Sequence, residues 1–258
     1  MSSIVRTPRV RTAAFLLSAG LLAACNESTG PGKIINLSFV TRPAGPVLRV
    51  ASLDGAHPSA AVSVTSGANT LVISKAQLVL SRIELQGSAS AGCTESTADD
   101  CEEMKIGPSI IDLPVDQSVA TSVTASVPAG TYSEVEAKID AVQSGESGAS
   151  AFLAANPSFA GVSVRVEGTY NGQPFVYTSN VESELELQFP TPLVVDQTGM
   201  NLTVHVDLAG WFTDGSGNLV DPSTANAGGA NASLVADNIK RSFHAFEDDD
   251  RDGQEDHR

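Results

Sequence analysis

Apolar and polar residues alternate along this chain again and again, and that period of two restricts its fold more than any other feature. Val162, Val164 and Val166 alternate with Ser163, Arg165 and Glu167; Asn171-Gly172 follows, and Phe175 and Tyr177 resume the apolar phase. Successive side chains of a strand point to opposite faces, so this pattern describes antiparallel sheets covered on one side. Asn-Gly between two such runs predicts a hairpin with a two-residue turn. Val181, Leu185, Leu187 and Phe189 against Glu182, Glu184 and Glu186 repeat the scheme, as do Leu202, Val204, Val206 and Leu208 against Thr203, His205 and Asp207.

Further strands are expected over 34–40, 47–53, 61–65, 71–74, 76–86, 109–113 and 119–127. Within 76–86 the apolar phase shifts from Leu78 and Leu80 to Ile83 and Leu85, which a β-bulge near Ser81-Arg82 accommodates. Residues 134–142 fit a strand through Val135, Ala137, Ile139 and Ala141, and a helix through Val135, Ile139 and Val142. Helices are few: a turn or two over 150–156, and a longer one over 233–246 with Ile239, Phe243 and Phe246 on one face, capped by Asn231 or Ser233. Short strands with little helix predict an all-β, mainly antiparallel β-sandwich, Ig-like or related, with one short C-terminal helix, over residues 34–246.

The N-terminus reads as an address. Arg6, Arg9 and Arg11 precede the apolar stretch from Ala13 to Leu22, which is too short to span a bilayer. The segment ends in Leu22-Ala23-Ala24-Cys25, which resembles the bacterial lipoprotein signal, in which small residues admit the signal peptidase and the Cys thiol receives a diacylglyceryl group. The resemblance implies that residues 1–24 are a signal peptide, that Cys25 carries lipid, and that residues 25–33 are a tether reaching roughly 15–20 Å. Acyl chains would hold the protein stably to a membrane. In a diderm host Asn26, not being Asp, favours the outer membrane. An ordinary secreted protein cleaved near Ala24 is the alternative.

Cys93 and Cys101 are separated by seven intervening residues in an exported chain, and a disulfide closing that polar loop is the simplest use of them. So small a loop gains at most about 2–3 kcal/mol in chain entropy.

At Ile111-Asp112-Leu113-Pro114, then Val127-Pro128-Ala129-Gly130-Thr131-Tyr132-Ser133-Glu134-Val135, the chain resembles a family of bacterial exported lipoproteins with an uncharacterised β-sandwich domain. In that family a D-L strand leads into a P-A-G-x-Y turn and another strand. Residues 71–85 match its preceding strand, and the resemblance covers residues 70–145 well and the rest loosely. It implies a strand for 134–142. Its motifs are structural and supply no catalytic residues.

The last twelve residues hold seven of the thirty acids in a chain of net charge −15. Asp248, Asp250 and Asp252 alternate ahead of Gly253, an arrangement that gathers hard oxygen ligands around Ca²⁺ and resembles EF-hand-type and thrombospondin-repeat loops. By position Gln254 would ligate through its carbonyl, and Asp256 directly or through water. The bidentate acid of the twelfth EF-hand position falls beyond residue 258. A solvated acidic tail over 247–258 is the other reading.

Glu182, Glu184 and Glu186 stand about 7 Å apart on one strand face, and with His205 and Asp207 on a neighbouring strand they would offer a surface metal site. His57 and His244 suggest no role. Trp211-Phe212 beside Asp214-Gly215-Ser216-Gly217 is a candidate aromatic platform for sugar, although adjacent strand residues point apart and one ring is expected in the core. Nucleophile-elbow, zinc-protease and phosphate-loop signatures are absent from the sequence. The anionic balance excludes a nucleic-acid partner, which needs clustered Lys and Arg. The sequence thus points to a lipid-anchored cell-envelope β-sandwich acting as a non-enzymatic binding or structural module. A Ca²⁺-stabilised surface module and a carbohydrate-binding or hydrolase accessory protein are the alternatives.

Overall fold

A computed structural model describes residues 33–41, 61–87, 102–116, 118–127, 130–195, 200–248 and 250–255. The leader, Cys25, the expected strand over 47–53, Cys93, Cys101 and Asp256 lie outside the described residues.

The longest run of alternating residues becomes the spine of the molecule. Strand β3 (Asn69–Gly87) organises an eight-stranded sheet that also contains β2 (Val62–Ser66), β4 (Glu102–Ile106), β5 (Ser109–Asp112), β7 (Gly130–Ile139), β8 (Val164–Tyr170), β9 (Gln173–Ser179) and β10 (Ser183–Val195). The path is β10-β7-β3-β8-β9, and β2, β4 and β5 also pair with β3. The phase shift within β3 has its counterpart in the ladder. β3 pairs with β8 over Leu71 to Leu78 and with β7 over Leu80 to Gly87, and the register slips between Leu80 and Arg82. One strand therefore serves two partners in succession, and the bulge re-aims its side chains between them. Residues 134–142 resolve as strand through Ile139, because β7 is held by ladders on both sides.

The second sheet has the order β12-β11-β1-β6, built from β1 (Lys33–Thr41), β6 (Val119–Val127), β11 (Met200–Val206) and β12 (Phe243–Glu247). β1 and β11 run parallel, from Ile35 opposite Met200 to Thr41 opposite Val206; the other pairs of this sheet are antiparallel. The two sheets pack face to face as a β-sandwich. Ile35, Leu37, Phe39, Leu202, Val204 and Val206 from the smaller sheet meet Leu71, Ile73, Leu78, Leu80, Leu85 and Tyr177 from the larger one in a single core. Each such side chain contributes about 1.5–3 kcal/mol by leaving water.

Residues 76–81 of β3 are all buried, which a one-sided sheet would not produce. The cause is a small second core on the far face: Val79 packs with Val142, Phe159 and the buried side of α1 (Ala149–Ala155), Ala149 and Phe152. The expected hairpin is present, with Asn171 at φ 51° and Gly172 at φ 78°, the left-handed pair that a type I′ turn requires.

The expected helix over 233–246 is corrected by the structure. Helix α2 (Ala232–Lys240) buries Val235 and Ile239 and stops at Lys240; residues 243–247 form β12 instead. The ladder with β11 supplies hydrogen bonds along the edge, which override the helical spacing of Ile239, Phe243 and Phe246. Asn231 does stand at the helix N-cap but makes no capping bond; its amide donates to Thr224 Oγ1 at 2.7 Å.

Candidate functional site

The C-terminal acids continue directly from β12 and are built into the sandwich. Asp248 N donates to Asn201 O at 3.2 Å, extending the β11–β12 ladder by one residue and turning the Asp248 side chain onto the outer face of the smaller sheet. There it is fully buried beside Thr203, which is also fully buried. Its Oδ2 accepts from Thr203 Oγ1 at 2.6 Å and from Gly253 N at 3.0 Å, and its Oδ1 accepts from Asp252 N at 2.9 Å. One carboxylate thus closes a loop of five residues. Arg251 at φ 59° and Gly253 at φ 76° take the left-handed conformations that curl the chain back.

The loop is pinned from outside as well. Arg251 Nε donates to Asn201 Oδ1 at 2.8 Å; the same oxygen accepts from Asn36 Nδ2 at 2.9 Å, and Asn36 Oδ1 accepts from Thr124 Oγ1 at 3.0 Å. A polar ladder therefore runs from the loop across β11 and β1 to β6. Asp252 Oδ1 accepts from Gln254 N and Oδ2 from Gln254 Nε2, each at 2.8 Å. Asp250 and Asp252 are exposed.

One oxygen from each of Asp248, Asp250 and Asp252 lies within 4.8 Å of the others. Ca²⁺ binds oxygen at 2.3–2.6 Å, so this spread suits three ligands on one ion. Asp248 would present one buried carboxylate already oriented by three hydrogen bonds, and Asp250 and Asp252 would close from the solvent side. The Gln254 side chain is turned to Asp252, in keeping with a carbonyl rather than a side-chain role for that position.

The other sequence candidates separate. Glu184 and Glu186 lie on β10 in the larger sheet and His205 on β11 in the smaller, so the metal site suggested for these residues with Glu182 and Asp207 is not assembled. Lys138 Nζ lies 2.6 Å from Glu182 Oε1 and 3.6 Å from Asp140 Oδ2, and its hydrogen bond holds the Glu182 carboxyl below the ordinary range. Trp211 and Phe212 are both fully buried. Trp211 Nε1 donates to Ser242 Oγ at 2.7 Å, and Phe212 packs edge-on against Tyr177 at 5.2 Å. Neither ring is available as a platform for sugar, because a tight 3-10 turn over Leu208–Gly210 sends the chain inward where a strand would have placed one ring outside.

One pairing was not legible in the sequence. His205 and His244 stand directly opposite each other on β11 and β12. Both line an open polar pocket of about 340 Å³, with Asp207, Thr213, Asn238, Arg241 and Ser242 on its walls. The signal was the equal parity of these two positions in adjoining strands, hidden because residues 243–247 resemble a helix.

No protein-family model, curated protein or solved structure matches the chain.

Proposed function

We propose that the protein is a lipid-anchored component of the bacterial cell envelope, held through Cys25 and working through its β-sandwich as a non-enzymatic binding or structural module. The observation that carries this reading is Leu22-Ala23-Ala24-Cys25 behind a basic, apolar leader, placed eight residues before β1 opens at Lys33. So short a tether would keep the sandwich near the bilayer, on the outer membrane in a diderm host. Palmitate labelling with membrane fractionation tests it. Wild-type protein takes up label and sediments with membranes, and Cys25→Ser does neither; an unlabelled wild-type protein overturns the anchor.

A second reading is favoured by the three clustered carboxylates of the C-terminal loop, a Ca²⁺-stabilised surface module. An ion bound only by the folded state stabilises it by about 2.7 kcal/mol at a hundred times its Kd, worth roughly 5–10 °C for a domain of this size. Thermal unfolding with and without Ca²⁺ is to be compared for the full chain and for Asp250→Asn with Asp252→Asn. These two side chains are exposed, so the substitutions leave Asp248 and its structural bonds in place. Equal Ca²⁺ shifts in both proteins would remove this reading.

A further inference from the structure

We propose that His205 and His244 form a bidentate site for a divalent transition-metal ion, of the imidazole-preferring kind such as Zn²⁺ or Cu²⁺, facing the pocket between the smaller sheet and the C-terminal end of α2. The register places the two residues opposite each other. Asp207 N donates to Ser242 O at 3.0 Å and Asp248 N to Asn201 O at 3.2 Å, which puts the intervening His205–His244 pair in the hydrogen-bonded class of the ladder. Residues so paired have Cα atoms about 5.5 Å apart, with side chains on the same face. Two imidazoles at that separation can both reach one ion at the roughly 2.0–2.1 Å typical of Zn–N bonds.

The surroundings suit an ion with open coordination positions. His244 is exposed and His205 half-buried, so solvent reaches the pair. The His244 ring packs against Phe246 at 5.9 Å, which limits its swing. Asp207 lies two residues beyond His205 on the same face of the chain, with its Oδ1 accepting from Gly210 N at 3.2 Å. The remaining polar walls are held by the protein itself: Thr213 Oγ1 donates to Gly210 O, Ser242 Oγ to Ile239 O and Asn238 Nδ2 to Trp211 O and Thr213 O, and the Arg241 guanidinium is tied to Asn238 Oδ1 at 3.1 Å, so the two imidazoles are the donors proposed for the ion. The site is chemically distinct from the C-terminal loop. Nitrogen donors select Zn²⁺, Cu²⁺ or Ni²⁺, whereas Ca²⁺ takes oxygen. It also lies about 13 Å further along β11, four residues from the Asn201–Asp248 pair.

Untagged protein titrated with Zn²⁺, followed by calorimetry and by NMR of the imidazole rings, tests the proposal. The expected result is one ion bound, with the His205 and His244 ring signals shifting together, and affinity weakened about tenfold or more in His205→Gln and in His244→Gln, since one imidazole cannot chelate. Saturating Ca²⁺ leaves that binding unchanged. Zn²⁺ affinity preserved in both variants overturns the site, as does a Zn²⁺ response confined to His57 and His257. The ring signals are read on the wild-type protein, so the test stands even where a variant folds poorly.

Discussion

Thr203 Oγ1 donates a 2.6 Å hydrogen bond to Asp248 Oδ2, and both side chains are fully buried on the outer face of the smaller sheet. With the Asp248 and Arg251 bonds to Asn201, this contact ties the acidic C-terminus to β11. Asp248→Ala takes this acceptor from the Thr203 hydroxyl and the Gly253 amide, while the Asp252 amide keeps Asp250 Oδ1 at 3.2 Å, and buried groups so stranded cost about 1–3 kcal/mol each. The expected loss is about 3–5 kcal/mol, against about 1–2 kcal/mol for Thr203→Val. Urea unfolding of both single variants and the double variant checks this, with strong non-additivity between the two sites.

Gly168 is required by the approach of β8 to β3. A Cβ there would lie 1.9 Å from Val72 O, next to the register slip between Ile73 and Lys75. The neighbour is backbone and cannot turn aside, so Gly168→Ala forces the strands apart at about 2–3 kcal/mol. A denaturation midpoint equal to that of the wild type would contradict this account.

Asn226 closes the β9 edge of the larger sheet. Its Oδ1 accepts from Thr178 N at 3.0 Å and its Nδ2 donates to Val176 O at 3.4 Å, so one side-chain amide stands in for a peptide of a further strand. Val176 is one of the two large exposed hydrophobic residues among those described, at 47%. An uncovered edge with an apolar side chain invites pairing between copies. Asn226→Ala is expected to self-associate in a concentration-dependent way by light scattering, with an unchanged circular dichroism spectrum.

Glu134 gives the larger sheet a pH dependence of known sign. Burial, then the charges of Glu186 and Glu136, raise its carboxyl above the ordinary value of 4.5. Glu136 itself lies directly opposite Glu84 on one side and Glu186 on the other. A carboxyl raised in the folded state favours folding while protonated. That contribution is whole below the unfolded value and is lost as pH rises through the folded one. Glu134→Gln should therefore raise stability relative to wild type increasingly from about pH 4.5 upward, and the gap should be constant at higher pH. Thermal unfolding at a series of pH values reads it, and a gap that does not widen with pH contradicts the assignment.

Features governed by local chemistry were legible in the sequence. Alternation marked β1, β6, β8, β9 and β11, Asn171-Gly172 marked the turn, and the phase change at Ser81-Arg82 marked the bulge. Each follows from the pleat or from backbone sterics within a few residues. β4 escaped notice because its five residues begin with two glutamates beside an already acidic loop.

What the tertiary structure decided were the relationships between distant residues. Asn36 meets Asn201 across 165 positions because β1 runs parallel to β11, and nothing in either segment names its partner. Phe243 and Phe246 share a helical spacing with Ile239, yet the ladder of β11 draws them into a strand, and that strand sets His244 against His205 and carries Asp248 into the sheet. The sequence alone determined an all-β chain with an acidic, Asp-rich end. Whether that end was a solvated tail or a folded loop depended on Thr203 and Asn201, brought to it only when the strands had paired, because a buried carboxylate is stable only where the fold supplies its donors.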